Sequence, residues 1–139
     1  MTSPPSTFWD DLAEDLRDPE FLREYVRESV RIATIDQLLN ALDVRRAAAG
    51  LSKAGLARAI SAEPAVVRRL FSAGHVNPTI GTLAEVAAAL GMRVTLEPLA
   101  AEERRQVTQP LLEGRAADRK ALAKHVAAMR LRREKMLAS

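Results

Sequence analysis

LSKAGLARAISAEPAVVRRLFSAGHVNPTIGTLAEVAAALG, residues 51–91, is the stretch on which the fold turns. Ser52 is placed to cap a helix over Lys53–Ile60, because its side chain accepts from the open amides of a first turn. Ser61-Ala62-Glu63-Pro64 interrupts that helix, and Pro64 suits the first turn of the next, Pro64–Ser72, where its missing N–H costs nothing. Gly74-His75-Val76-Asn77-Pro78 reads as a loop. Thr79 then caps a helix through Leu90 that Gly91 stops. Two short helices so close in sequence can cross steeply only if the crossing residue is small. Ala57, flanked by Leu56 and Ile60, is that residue, and Val67 and Leu70 supply the facing apolar surface. The spacing of Leu56-Ala57, Ile60, Ala62, Val67 and Leu70 is that of a helix-turn-helix, whose second helix enters a DNA major groove.

Upstream, Asp36–Ala49 reads as a helix carrying Leu38, Leu39 and Leu42, with Ile35 just ahead of it and Gly50 where a C-cap glycine belongs. Met1–Thr7, with two prolines and four Ser/Thr, reads as a disordered start. Phe8–Arg31 is amphipathic and helix-forming, broken at Asp18-Pro19. Phe8, Leu12 and Leu16 form its first stripe, and Phe21, Leu22, Tyr25, Val26 and Val30 its second. Four of the five aromatic residues (Phe8, Trp9, Phe21, Tyr25) lie here. That surface requires burial, on the main domain or on a partner.

Downstream, Met92-Arg93-Val94-Thr95-Leu96-Glu97 alternates apolar and polar residues and is the only strand signal, ended by Pro98. A lone strand cannot satisfy its ladder groups. Pairing with a second copy across a twofold axis solves this and predicts a homodimer; an extended tail packed on the helices is the alternative. Residues 101–114 are polar and interrupted by Pro110. Arg115–Leu137 is helical, with Leu122, Val126, Met129 and Met136 on one stripe, and Arg133 breaks that stripe in a way that argues against a long coiled coil. The fold class expected is mainly all-α, with an N-terminal acidic helical segment at 1–33, a DNA-binding domain with its terminal strand at 34–100, and a basic helical tail at 101–139.

The net charge of +3 hides a gradient. Residues 1–50 carry 6 basic and 10 acidic side chains, residues 51–100 carry 5 and 3, and residues 101–139 carry 10 and 5. The basic end is the candidate for polyanions. The absence of cysteine excludes a disulfide framework, thiolate zinc sites, iron–sulfur clusters and a cysteine nucleophile. His75 and His125 stand far apart without ligand-like neighbours, so no metal is expected. No apolar run has membrane-spanning length, and the start MTSPPSTFWDD is acidic where a signal peptide is basic and then apolar. The expectation is a cytoplasmic chain. The carboxylate pairs Asp10-Asp11 and Glu14-Asp15 lie on an exposed amphipathic helix with nothing to bury them. No nucleophile elbow, phosphate-cradling loop or dinucleotide fingerprint is present, so neither an enzyme nor a cofactor is expected.

Over about residues 35–90, "LSKAGLARAISAEPAVVRRLFSAGHVNPTIGTLAEVAAALG" resembles the Cro/CI-type (XRE) helix-turn-helix family, "NPT…TL…A.ALG" being typical of its last helix. "FWDDLAEDLRDPEFLREYV" and "GMRVTLEPL" are similar to flanking segments of HigA-like antitoxins. The resemblance implies a lambda-repressor-like domain that binds double-stranded DNA, with the helix at about 64–72 in the major groove. Arg68 is expected to face the groove, where arginine donates two parallel hydrogen bonds to guanine. Arg69 is read as meeting phosphate or an acidic neighbour. Lys53 and the amides near Asn77–Thr79 match the family's phosphate-contacting positions. Glu63 and Ala65, around Pro64, stand where the family more often has polar base-reading residues. Glu63 either accepts from a cytosine amino group or only caps the helix. The family usually has glycine at Ser61, because that residue turns left-handed, and serine there costs about 1 kcal/mol. The loop over Ser72–Asn77 is about one residue longer than the common pattern. The alternative function is an antitoxin that masks a small RNA-cleaving toxin and represses their shared operon, with the acidic, aromatic segment Phe8–Val30 as the toxin-facing surface. The tail extends a dimer interface, grips flanking DNA or wraps a partner.

Overall fold

A computed structural model of the chain describes residues 5–72 and 76–138, with side chains as far as Arg130. The described residues are mostly helical and include no strand. In order they form α1 (Ser6–Asp15), α2 (Pro19–Ala48), α3 (Lys53–Ala59), α4 (Pro64–Leu70), α5 (Ile80–Ala89), α6 (Ala101–Glu103), a π-helical turn (Arg104–Thr108), α7 (Gln109–Glu113) and α8 (Arg119–Ala138). The described parts of Met1–Ala33 and Pro98–Lys135 make one compact unit, and those of Thr34–Glu97 and Met136–Ser139 a second. Met1–Pro4, Gly74-His75 and the side chains of Arg133 and Met136 lie outside the described residues.

The break at Asp18-Pro19 is present, with Asp18 Oδ1 accepting from the Glu20 amide at 3.0 Å as α2 begins. The helices read separately up to Arg31 and from Asp36 are instead one helix, α2. Nothing between 31 and 36 removes an amide or demands a positive φ, so the β-branched pair Thr34-Ile35 lowers propensity without stopping propagation. Residues 101–113 are helical as well. The π-helical turn falls immediately before α7, in which Pro110 supplies no amide for a regular ladder. Met92–Glu97 forms neither helix nor strand within one chain and is exposed throughout.

In the first unit, Leu16, Leu22, Val26, Val107, Leu122, Ala123 and Val126 are buried together, with Trp9, Leu12, Tyr25 and Met129 against them. The aromatic N-terminal stripe therefore packs on the chain's own C-terminal helix, with Phe8 (47%) and Phe21 (40%) left exposed. Basic side chains of α8 tie this packing down. Arg119 Nε donates to the Ala13 carbonyl at 2.9 Å, Lys120 pairs with Asp10, and Lys124 lies over the Trp9 ring. Arg130 donates through Nε and Nη2 to the Oγ of Ser29, which is fully buried, and its guanidinium sits 5.5 Å above the Tyr25 ring. Burial pushes the Tyr25 phenol above its ordinary value, and the Arg130 charge offsets part of that rise.

In the second unit, Leu39 and Leu42 of α2 pack with Leu56 and Ala57 of α3, Val67 and Leu70 of α4, and Leu83, Val86, Ala87 and Leu90 around α5. Arg46 closes one edge of this core with its side chain only 17% exposed. Its Nε donates to Asp43 Oδ1 at 2.9 Å, its Nη1 to the Leu51 carbonyl at 2.8 Å, and its guanidinium lies 6.0 Å from the Phe71 ring centre.

Candidate nucleic-acid interface

α3 and α4 owe their relative placement to the turn between them. Ser52 Oγ accepts from the Gly55 amide at 2.9 Å and starts α3. After the last turn of α3, the Ser61 amide donates to Arg58 and the Ala62 amide to Ala57. This pair of bonds is the Schellman arrangement, and it requires its central residue to be left-handed. Ser61 has φ 55 and is the only described non-glycine residue with positive φ. The same bond pair closes α2 at Gly50 and α5 at Gly91. Pro64 then opens α4, with Val67 and Leu70 held against Leu56 and Ala57.

Burial of Val67 and Leu70 fixes what α4 presents to solvent. Pro64, Ala65, Val66, Arg68 and Arg69 are all exposed. Counting around the helix from the midpoint between Val67 and Leu70, Ala65 falls opposite the core, Arg68 and Arg69 lie to either side of it at about 130° from the core, and Val66 stands nearest the core at about 70°. Both arginines sit in the last turn of α4, where the helix dipole favours a positive charge. Neither has an ion-pair or hydrogen-bond partner for its guanidinium among the described residues, in contrast to Arg46. Both guanidinia are thus open to an outside anion.

The remaining candidate residues surround this helix. Lys53 is half-buried in the first turn of α3. Glu63 is the exposed N-cap residue of α4 and makes no side-chain capping bond, so the capping role read for it is not realised. Thr79 is committed to structure, its Oγ1 accepting from the Thr82 amide at 3.1 Å to start α5, and Asn77 is exposed just ahead of it. Two further side chains share the exposed surface of α3 and α4, Arg58 and Val66, the latter 42% exposed. Helical spacing around Leu56 and Val67 is the signal that marks them.

No group of three or more potential metal-ligating side chains is found among the described residues, and no described helix is long and apolar enough to cross a membrane. Comparison with known protein families, characterised proteins and solved structures returned no match.

Proposed function

We propose that this chain is a sequence-specific regulator of the Cro/CI (XRE) type that binds double-stranded DNA through a lambda-repressor-like domain. In this reading α4 lies in the major groove, Arg69 and Arg68 reach base edges or flanking phosphates, and Lys53 and the start of α5 meet phosphate. The observation that carries the proposal is the pair of unpartnered arginines on a short helix. The opposite face of that helix is locked into a core, and the helix is held by a tight left-handed turn. Ala65 and Val66 add apolar surface of the kind that contacts a thymine methyl group. Two copies would place two such helices about 34 Å apart, on half-sites one turn apart.

The test is selection of duplexes from a randomised pool, followed by binding titrations of the selected site at several salt concentrations. Affinity is expected to fall steeply with salt as phosphate counterions are released. Replacing Arg69 or Arg68 by alanine is expected to relax base preference by about 1–3 kcal/mol, whereas Lys53→Ala weakens binding to all duplexes alike. A chain that selects no sequence, and whose weak binding is unchanged by all three substitutions, refutes the reading.

A second reading, an antitoxin that holds a small basic toxin, is favoured by the exposed Phe8 and Phe21 lying in the same stretch as Asp11, Asp15, Glu20 and Glu24. These carboxylates have no ion pair among the described residues, and acidic groups around exposed aromatic rings complement a basic partner. Co-purification from the native locus decides it, since a stoichiometric small basic protein is required.

A further inference from the structure

Residues 92–97 are exposed at every position, Leu96 at 97%. Among the described residues, none of the backbone N–H or C=O groups of 93–97 is hydrogen-bonded to protein. Apolar Met92, Val94 and Leu96 alternate with Arg93, Thr95 and Glu97, so an extended backbone here has one apolar and one polar face.

We infer that this segment pairs antiparallel with the same segment of a second copy, with the twofold axis passing through Thr95. The inference rests on the two-copy form of the DNA-binding reading and specifies the contact that makes it. Three observations select the register. First, an axis between two residues would set Arg93 against an apolar residue, because residues directly opposite in an antiparallel pair point to the same face. Only an axis on a residue keeps polar against polar. Second, of those axes, the one at Thr95 sets Arg93 of each copy opposite Glu97 of the other and Val94 opposite Leu96. Opposite charges and apolar pairs at facing positions both stabilise a ladder. An axis at Val94 leaves Arg93 facing threonine and Glu97 unmatched. Third, the ends of the ladder match. The Met92 amide is already donated to the Ala87 carbonyl at 2.7 Å, and Pro98 has no amide. The Thr95 axis sets these two residues opposite each other, which makes Met92–Pro98 a pair that exchanges no bonds. Alternation along the strand then makes Arg93–Glu97 and Thr95–Thr95 the bond-exchanging pairs. Every free amide and carbonyl of those residues is used.

The chain has no cysteine, so a single introduced cysteine reports the register directly. Facing copies of residue 95 would have Cα atoms about 5.5 Å apart, inside the range of about 4.4–6.8 Å that a disulfide spans. Thr95→Cys, at an exposed position, is expected to crosslink into a dimer under mild oxidation, whereas Val94→Cys, facing leucine, is not. Arg93→Glu and Glu97→Arg are each expected to weaken self-association by roughly tenfold or more. An equal mixture of the two recovers it as a heterodimer, because every facing pair is then oppositely charged. A full-length chain that sediments as a monomer at every concentration overturns both this contact and the two-copy reading. A dimer in which Val94→Cys crosslinks and Thr95→Cys does not, or in which the charge variants fail to complement, overturns the register alone.

Discussion

Replacing Ser61 by glycine is expected to stabilise the second unit, against the usual direction of mutational effects. The left-handed region brings Cβ toward the following carbonyl oxygen and costs an L-residue roughly 1–2 kcal/mol. Ser61 sits there at φ 55, and no hydrogen bond of its hydroxyl offsets the cost among the described residues. Glycine removes that strain but is freer in the unfolded chain, which returns roughly 0.5–1 kcal/mol. The net gain expected is about 1 kcal/mol. For a unit of this size it corresponds to a rise in midpoint temperature of roughly 4–8 °C. Thermal and urea unfolding followed by circular dichroism would measure it. Gly50→Ala and Gly91→Ala provide the opposite arm. Both glycines hold the same helix-ending conformation, at φ 70 and 75, and an added Cβ meets nothing within 4 Å at either position. Their loss is therefore a backbone effect alone, expected at about 1 kcal/mol each. If Ser61→Gly were neutral or destabilising while the two alanine variants behaved as stated, the strain assigned to Ser61 would be wrong.

Arg46→Ala is expected to destabilise the second unit by roughly 1–3 kcal/mol, since the Leu51 carbonyl and Asp43 lose their donor; a lysine would not restore the forked contact, and urea titration of both variants checks this. Leu122→Ala removes a fully buried side chain from the first unit and should cost roughly 2–5 kcal/mol, with a lower denaturation midpoint. The phenol of Tyr25, the only tyrosine, should ionise above its ordinary value, and Arg130→Ala should move the midpoint higher by removing a nearby positive charge. Its folded pKa is raised, so its contribution to stability is complete below the unfolded value of about 10 and declines as pH rises through the folded one. Ultraviolet titration and alkaline unfolding read the two effects.

Much of the second unit was legible because its signals are local. Ser52, Pro64, Thr79, Gly50 and Gly91 each act within one helical turn of themselves, and each stands at the end of an observed helix. The outward face of α4 followed from Val67 and Leu70, whose burial leaves Arg68 and Arg69 together on the exposed side. What escaped sequence reading depended on distant partners. Nothing in the stripe of Phe8, Leu12 and Leu16 names Leu122 and Val126 as its neighbours, since periodicity says which face is buried and not what buries it. The continuity of α2 escaped for a different reason. A weak β-branched pair reads as a boundary only when no packing on either side sustains the helix. Arg46 resembled any other charge in a solvated last turn until the Leu51 carbonyl and Phe71 ring were located.

The first unit joins segments from opposite ends of the sequence, as the bond from Arg119 to Ala13 illustrates. A ribosome delivers those segments in order, at about 5–20 residues per second. The core residues of the second unit, from Leu39 to Leu90, are therefore all delivered while α1 and the start of α2 still wait for α8. Throughout that interval Leu16, Leu22 and Val26 lack Leu122 and Val126 as cover, and transiently exposed apolar surface of this kind promotes aggregation. Premature termination before residue 119 would leave that wait permanent. Such a product would keep the residues of the candidate interface and carry a sticky apolar N-terminus, so its fate would be set by aggregation and proteolysis rather than by loss of the interface residues.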